Sequence, residues 1–168
     1  MRNKIILIAT FLISLLSFGQ GKSYGINYGQ GIDESSKFSV GIDFNYYYEL
    51  NDDLYLGLTI NANMRQVDAI EDFPDLEDAT QNLIYTDLGL ASRYYLSDLF
   101  KINLDTGYSL PLSANNISDD DIKGSLFIKP YLELDFDSIS IITGPHLYFG
   151  GTYNFTSINL GIRFKDLY

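Results

Sequence analysis

Phe38-Ser39-Val40-Gly41-Ile42-Asp43-Phe44-Asn45-Tyr46-Tyr47-Tyr48-Glu49-Leu50 is the stretch on which the fold turns. Every even position in it is apolar or aromatic. The odd positions, Tyr47 apart, are small or polar. Successive side chains of an extended chain point to opposite faces, so this alternation describes a β-strand with one apolar face. Leu54 to Arg65 repeats it, with Leu54, Leu56, Leu58, Ile60, Ala62 and Met64 set against Tyr55, Gly57, Thr59, Asn61, Asn63 and Arg65. The rule holds again for Asp87–Leu96, Ile102–Leu112, Leu126–Phe136 and Ser157–Lys165. Ser23–Gly29 follows it more weakly. Ile139–Phe149 fits best with its odd residues on the apolar face, which leaves Ile142 and His146 on the other. That gives eight strands and no helical period of useful length.

The connections alternate in length. Asn51–Asp53, Ser97–Phe100 and Asp137–Ser138 are short. Gly31–Lys37, Val67–Leu83, Ser113–Ile122 and Gly150–Phe155 are longer. Such alternation through an even number of strands describes an up-and-down meander. In an outer-membrane barrel the short turns face the periplasm and the long loops face outward.

A soluble barrel hides its apolar face inside, and a membrane barrel turns it outward. Two features of the sequence choose between them. The apolar face is too bulky for the narrow interior of eight strands, whereas the opposite face carries Gly25, Gly29, Gly41, Gly57, Gly89, Gly107, Gly144 and Gly161, as a crowded lumen needs. Within these segments the apolar face has no Asp, Glu, Lys, Arg or His, and the opposite face holds Asp43, Glu49, Arg65, Asp87, Arg93, Asp105, Lys129, Glu133, Asp135, His146, Arg163 and Lys165. A lipid-facing Arg or Lys costs about 2–4 kcal/mol at the midplane, which explains the exclusion. Acids and bases sharing a narrow lumen can pair, Arg93 with Asp87 or Glu49, and Arg163 with Asp43 or Asp105. Aromatic residues support the same choice. Tyr24, Tyr46, Tyr48, Tyr94, Phe136, Phe164 and Tyr168 fall near the periplasmic rim, and Tyr28, Phe38, Tyr108 and Phe149 near the outer one, while Phe44 sits nearer the middle and breaks the pattern. The expected fold is all-β, an eight-stranded antiparallel up-and-down transmembrane β-barrel with a lipid-facing apolar exterior.

The chain has 168 residues, 22 acidic and 11 basic, and a net charge of −11. That length allows one domain. Such acidity argues against nucleic acid as a partner. The absence of Cys excludes disulfides, thiolate metal sites and a lipid-modified N-terminal Cys. Residues 1–19 read as a signal peptide: Arg2 and Lys4, an apolar run Ile5–Leu16, then Ser17-Phe18-Gly19 before a cleavage point near Gln20. The run is too short for a membrane-spanning helix. Cleavage leaves residues 20–168 as the barrel domain, with net charge −13, most of it on loops and turns.

In its leader, its eight segments and its final stretch Ile158-Asn159-Leu160-Gly161-Ile162-Arg163-Phe164-Lys165-Asp166-Leu167-Tyr168, the chain resembles the small outer-membrane β-barrel domain proteins of Gram-negative bacteria. The likeness is architectural and covers essentially the whole mature chain. It implies outer-membrane location, membrane lipids as surroundings, a C-terminal strand read by the barrel-insertion machinery, a monomer and no cofactor. Asp166 departs from that strand's usual pattern, which suggests that the last three residues fray.

Candidate chemistry is sparse. Some small barrels of this location resemble lipid-modifying hydrolases with His and Ser two apart on a strand. Here the order is His146-Leu147-Tyr148, the Ser is missing, and the phase turns His146 into the lumen. No catalytic residue is assigned. Hard divalent cations favour clustered carboxylates, so Asp72 and Asp75 in the second long loop, and Asp119, Asp120 and Asp121 in the third, are the metal candidates. The third group imitates the start of an EF-hand, with Lys123 where an oxygen ligand belongs and Pro130 in place of the closing Glu. Ile70, Phe73, Pro74 and Leu76 suit a loop that folds over the barrel mouth or meets a partner. The expected function is non-enzymatic: an envelope-structural or surface-interaction role through acidic loops. The alternatives are an outer-membrane lipid-modifying enzyme and a soluble periplasmic barrel holding a lipophilic ligand.

Overall fold

The computed structural model describes residues 21–68, 80–114 and 122–165. The leader, the five loop aspartates named above, the apolar loop residues 70, 73, 74 and 76, Asp166 and Tyr168 lie outside the described residues. Eight strands run in order: β1 (Gly21–Gly31), β2 (Ser36–Glu49), β3 (Leu54–Asp68), β4 (Thr80–Tyr95), β5 (Phe100–Ala114), β6 (Ser125–Phe136), β7 (Ile139–Phe149) and β8 (Phe155–Lys165). Each pairs antiparallel with its neighbours, and β1 closes on β8 to complete the barrel. At the closure Tyr24 faces Phe164, and their rings stack at 5.6 Å. A strand of eleven residues spans about 36 Å, or about 28 Å along the axis at a tilt near 40°, enough for an apolar band about 25 Å tall.

The apolar face is outside. Leu90 is 63% exposed and Leu160 61%, while Asp87 and Glu133 are fully enclosed. A soluble barrel with a greasy interior is thereby overturned, because each strand buries its polar parity. The short turns share one rim and are tied by their own side chains. Asn51 Oδ1 accepts from the amides of Asp53 and Leu54 at 3.1 and 2.9 Å, and Ser97 Oγ accepts from the Phe100 amide at 3.1 Å. Asp137 turns the tightest hairpin at φ +57°, a left-handed conformation that Asp tolerates.

Most strands run a few residues past their sequence-read ends, β3 to Asp68 among them, and β4 departs furthest. β4 begins at Thr80 and β5 continues to Ala114, so both adjacent loops are shorter than expected. Leu83, Ile84 and Tyr85 are apolar on both faces, which erases the alternation. The ladder nevertheless continues, with Val67 facing Gln81 and Asp68 facing Thr80.

Candidate functional site

The polar parity of the eight strands converges on the lumen, which is filled by charged side chains in layers. Asp87 of β4 is the hub of the layer nearer the long loops. Its Oδ1 accepts from Arg65 Nη2 at 3.0 Å and Ser109 Oγ at 2.5 Å. Its Oδ2 accepts from Lys129 Nζ at 2.6 Å, Asn63 Nδ2 at 2.8 Å and Tyr148 Oη at 2.9 Å. A carboxylate offers about four lone-pair sites, so five donors saturate it and leave nothing for a metal or a general-base role. The Arg65 guanidinium lies between aromatic faces, 3.3 Å from the Tyr148 ring centroid and 4.1 Å from that of Tyr85.

The middle layer is built on Arg163 of β8. Its Nε and Nη2 donate to Asp43 Oδ2 at 3.1 and 2.9 Å, and its Nη1 donates to Tyr131 Oη at 3.0 Å and Glu133 Oε2 at 3.3 Å. Arg93 Nη2 donates to the same Glu133 oxygen at 3.0 Å, and its guanidinium lies 4.1 Å from the Tyr47 ring centroid. Asp105 is buried and accepts from Tyr131 Oη at 3.3 Å. Toward the short turns, Asp135 holds both Lys101 and Lys165.

The expected pair of Arg163 with Asp43 is present. The expected partners of Arg93 are corrected to Glu133. Asp87 lies six residues away on the same strand, about 20 Å at the rise of a β-strand, and Glu49 sits exposed at the rim. Lys101, which falls between the turn Ser97–Phe100 and the strand read as Ile102–Leu112, is 2% exposed inside the lumen. The signal was there: Lys101 shares the parity of Asn103 and Asp105. Among the described residues the lumen therefore holds six bases, Arg65, Arg93, Lys101, Lys129, Arg163 and Lys165, and five acids, Asp43, Asp87, Asp105, Glu133 and Asp135. His146 is a packed lumen residue, 8% exposed, with Tyr148 two positions on. Among the described residues no group of three or more His, Asp or Glu is arranged to hold a metal.

Sequence reasoning missed the mouth. Val67, Leu83, Tyr85, Ile122, Phe127, Tyr148, Tyr153 and Phe155 form one buried apolar cluster across the lumen at its long-loop end. Phe127 and Phe155 each lie 6.2 Å, centroid to centroid, from Tyr148. The Phe127 ring fits because Gly89 faces it: a Cβ there would come within 2.8 Å of Phe127 Cζ. Tyr148 belongs to both assemblies, its ring in the cap and its hydroxyl on Asp87. The arrangement closes the lumen with hydrocarbon above and ion pairs below, and it braces the wall from five strands.

No protein-family model matches the chain, and no curated protein matches it. Solved structures do. The N-terminal β-barrel domain of Pseudomonas aeruginosa OprF superposes with a TM-score of 0.60 at 14% identity, over 88% of this chain and 98% of that one. The outer membrane enzyme PagL gives 0.56 at 10% identity, over 84% and 98%. The Yersinia pestis outer membrane protein Ail in a phospholipid nanodisc gives 0.54 at 16% identity, over 88% and 99%. At such identities the likeness is one of fold: the chain has the closed eight-stranded antiparallel architecture of outer-membrane β-barrels.

Proposed function

We propose that this chain is an exported outer-membrane barrel of a Gram-negative envelope, with a closed lumen, acting as a non-enzymatic structural element or as a platform that presents acidic loops to the surroundings. One observation carries the reading. The wall is inside-out for water: a continuous apolar exterior encloses buried, paired charge. Unpaired buried charge is costly, and a polar exterior is what lipid excludes, so this arrangement is stable only when hydrocarbon surrounds it. The leader at 1–19 supplies the export route. The final strand is the segment offered to the insertion machinery. Loop aspartates 72, 75, 119, 120 and 121 are offered to divalent cations and through them to anionic lipid headgroups. A barrel whose edges are all paired has no strand left for a neighbour, which favours a monomer.

Fractionation of the source bacterium tests it. The mature protein is expected in the outer-membrane fraction, soluble only with detergent. Recovery of the mature chain from the soluble periplasm contradicts the reading. The likeness to PagL, itself an enzyme, keeps a lipid-modifying activity as the second reading. It is decided by comparing the acyl pattern of outer-membrane lipid from a deletion strain and its parent. An unchanged pattern supports the non-enzymatic reading, and a lost or gained acyl species reverses it.

A further inference from the structure

The wall of this barrel is not uniform. Every strand pair keeps a near-continuous ladder except β6 with β7. There the register runs through Leu126/Phe149, Phe127/Tyr148 and Ile128/Leu147, then resumes at Leu132/Thr143. The three missing steps centre on Pro130, which faces Pro145. Antiparallel ladders alternate hydrogen-bonded and non-bonded pairs, so losing one bonded pair removes three consecutive steps. Proline has no N–H, and two prolines facing each other delete both bonds of that pair. Neither proline carbonyl then receives an amide from the residue opposite. Within lipid nothing else supplies one, and an unsatisfied backbone group there costs several kcal/mol.

Contact alone keeps the strands together at this point. Gly144 lies so close to β6 that a Cβ would run into the Pro130 carbonyl oxygen, so only glycine permits the approach. Outside, a groove of about 360 Å³ follows the seam, lined by Ile102, Pro130, Tyr131, Leu132, Thr143, Gly144 and Pro145. No charged side chain lines it. Of the two lining residues that carry a hydroxyl, Thr143 donates to the Asn159 carbonyl at 2.9 Å and Tyr131 donates to Asp105 inside the lumen at 3.3 Å. It sits midway along both strands, within the apolar band, and its size is at the lower end of small-molecule sites. On the lumen side the same stretch presents Tyr131 and His146.

We propose that the β6–β7 seam is a lateral lipid site: an acyl chain of a surrounding lipid lodges over Pro130 and Pro145, and the strands part there far enough for it to touch the lumen face at Gly144 and His146. The occupant is hydrocarbon because the groove is apolar, uncharged and at mid-height, where no water-borne ligand arrives. The inference rests on the membrane reading above.

A phospholipid carrying a diazirine at mid-chain tests it, with the full chain in vesicles and crosslinked residues mapped by mass spectrometry. Outward residues such as Leu90 and Leu160 are expected to label wherever lipid surrounds the barrel. Lumen-side labelling at the seam is read at His146, since Tyr131 and Gly144 also line the outer groove, and it is expected there and not at Asn61, which lies behind unbroken ladders on both sides. Pro130→Val with Pro145→Val restores both donors and is expected to cut the seam labelling at least about tenfold, the factor that two ordinary hydrogen bonds supply. Seam labelling no greater than at Asn61, or unchanged in the double variant, overturns the lipid site. Absence of labelling at Leu90 and Leu160 overturns the membrane reading instead. If the double variant does not fold, amide exchange on the native chain decides. The Ile128, Leu132, Thr143 and Leu147 amides are expected to exchange faster than those of the β3–β4 ladder, and equal protection contradicts the seam.

Discussion

At the residue scale the two kinds of ion pair in this molecule separate cleanly. Asp87 is enclosed and holds two cations, and removing it strands Arg65 and Lys129 without their counter-charge. Asp87→Ala is expected to destabilise the barrel by about 3–5 kcal/mol, read as a lowered urea midpoint in micelles. The Lys37–Asp68 pair, at 2.7 Å but nearly half exposed at the rim, is of the other kind. Lys37→Ala is expected to change stability by about 0–1 kcal/mol. Asp33, in the turn between β1 and β2, has a third role. Its Oδ1 accepts from the Ser36 amide at 2.7 Å and the Ser35 hydroxyl at 3.2 Å, and its Oδ2 from the Thr156 amide at 2.9 Å, tying the turn to the start of β8. Burial alone raises its pKa, but the hydrogen bonds from Ser36, Ser35 and Thr156 outweigh it and hold the carboxyl below its ordinary 3.8. A depressed pKa contributes stability that is complete above the ordinary value and lost as pH falls through the lower, folded one. Protection of the Ser36 and Thr156 amides is therefore expected to persist down to about pH 3.8 and to fail only below it. In Asp33→Asn this pH dependence is expected to vanish. Loss of protection in the native chain well above that pH contradicts the assignment.

At the element scale, legibility followed parity. Segments with strict alternation, such as Phe38–Leu50 and Leu54–Arg65, appeared in the sequence with the correct face and nearly the correct ends. His146 and Ile142 were placed in the lumen by phase alone. Parity failed where both faces turn apolar, at Leu83–Tyr85, because a pattern that reports contrast cannot report two greasy faces. The same failure hid the mouth cap, since Val67 and Leu83 fell in a segment read as loop, and Phe127 was only one aromatic among polar neighbours. Pairing across the lumen was legible only for Arg163 with Asp43. Side-chain reach across a tilted barrel depends on register, which alternation does not set. Phe127, fully buried in the cap, carries the element-scale prediction. Phe127→Ala is expected to lower stability by about 3–5 kcal/mol, measured by the same urea midpoint. A loss below 1 kcal/mol indicates that the cap does not pack as a unit.

At the scale of the whole molecule, strand number and filling agree. Eight strands leave room for side chains rather than for a water column, and here that room holds layered ion pairs under an aromatic cap. In planar bilayers the protein is expected to show no stepwise conductance, and steady channels in the native chain contradict a closed lumen. The architecture and the inside-out wall were legible in the sequence because both rest on period-two contrast and excluded charge. The Pro130–Pro145 gap was not, because facing residues emerge only once the β6–β7 register is known. The central claim is that the even face of most strands meets hydrocarbon and the odd face meets the lumen. The chain has no Trp, so single introduced ones report cleanly. The most direct measurement places Trp at Leu90, outward on β4, and separately at Tyr47, buried in the lumen, in vesicles of brominated phospholipid. Strong quenching at position 90 with little at 47 is the expected result, and quenching at 47 with none at 90 would contradict it.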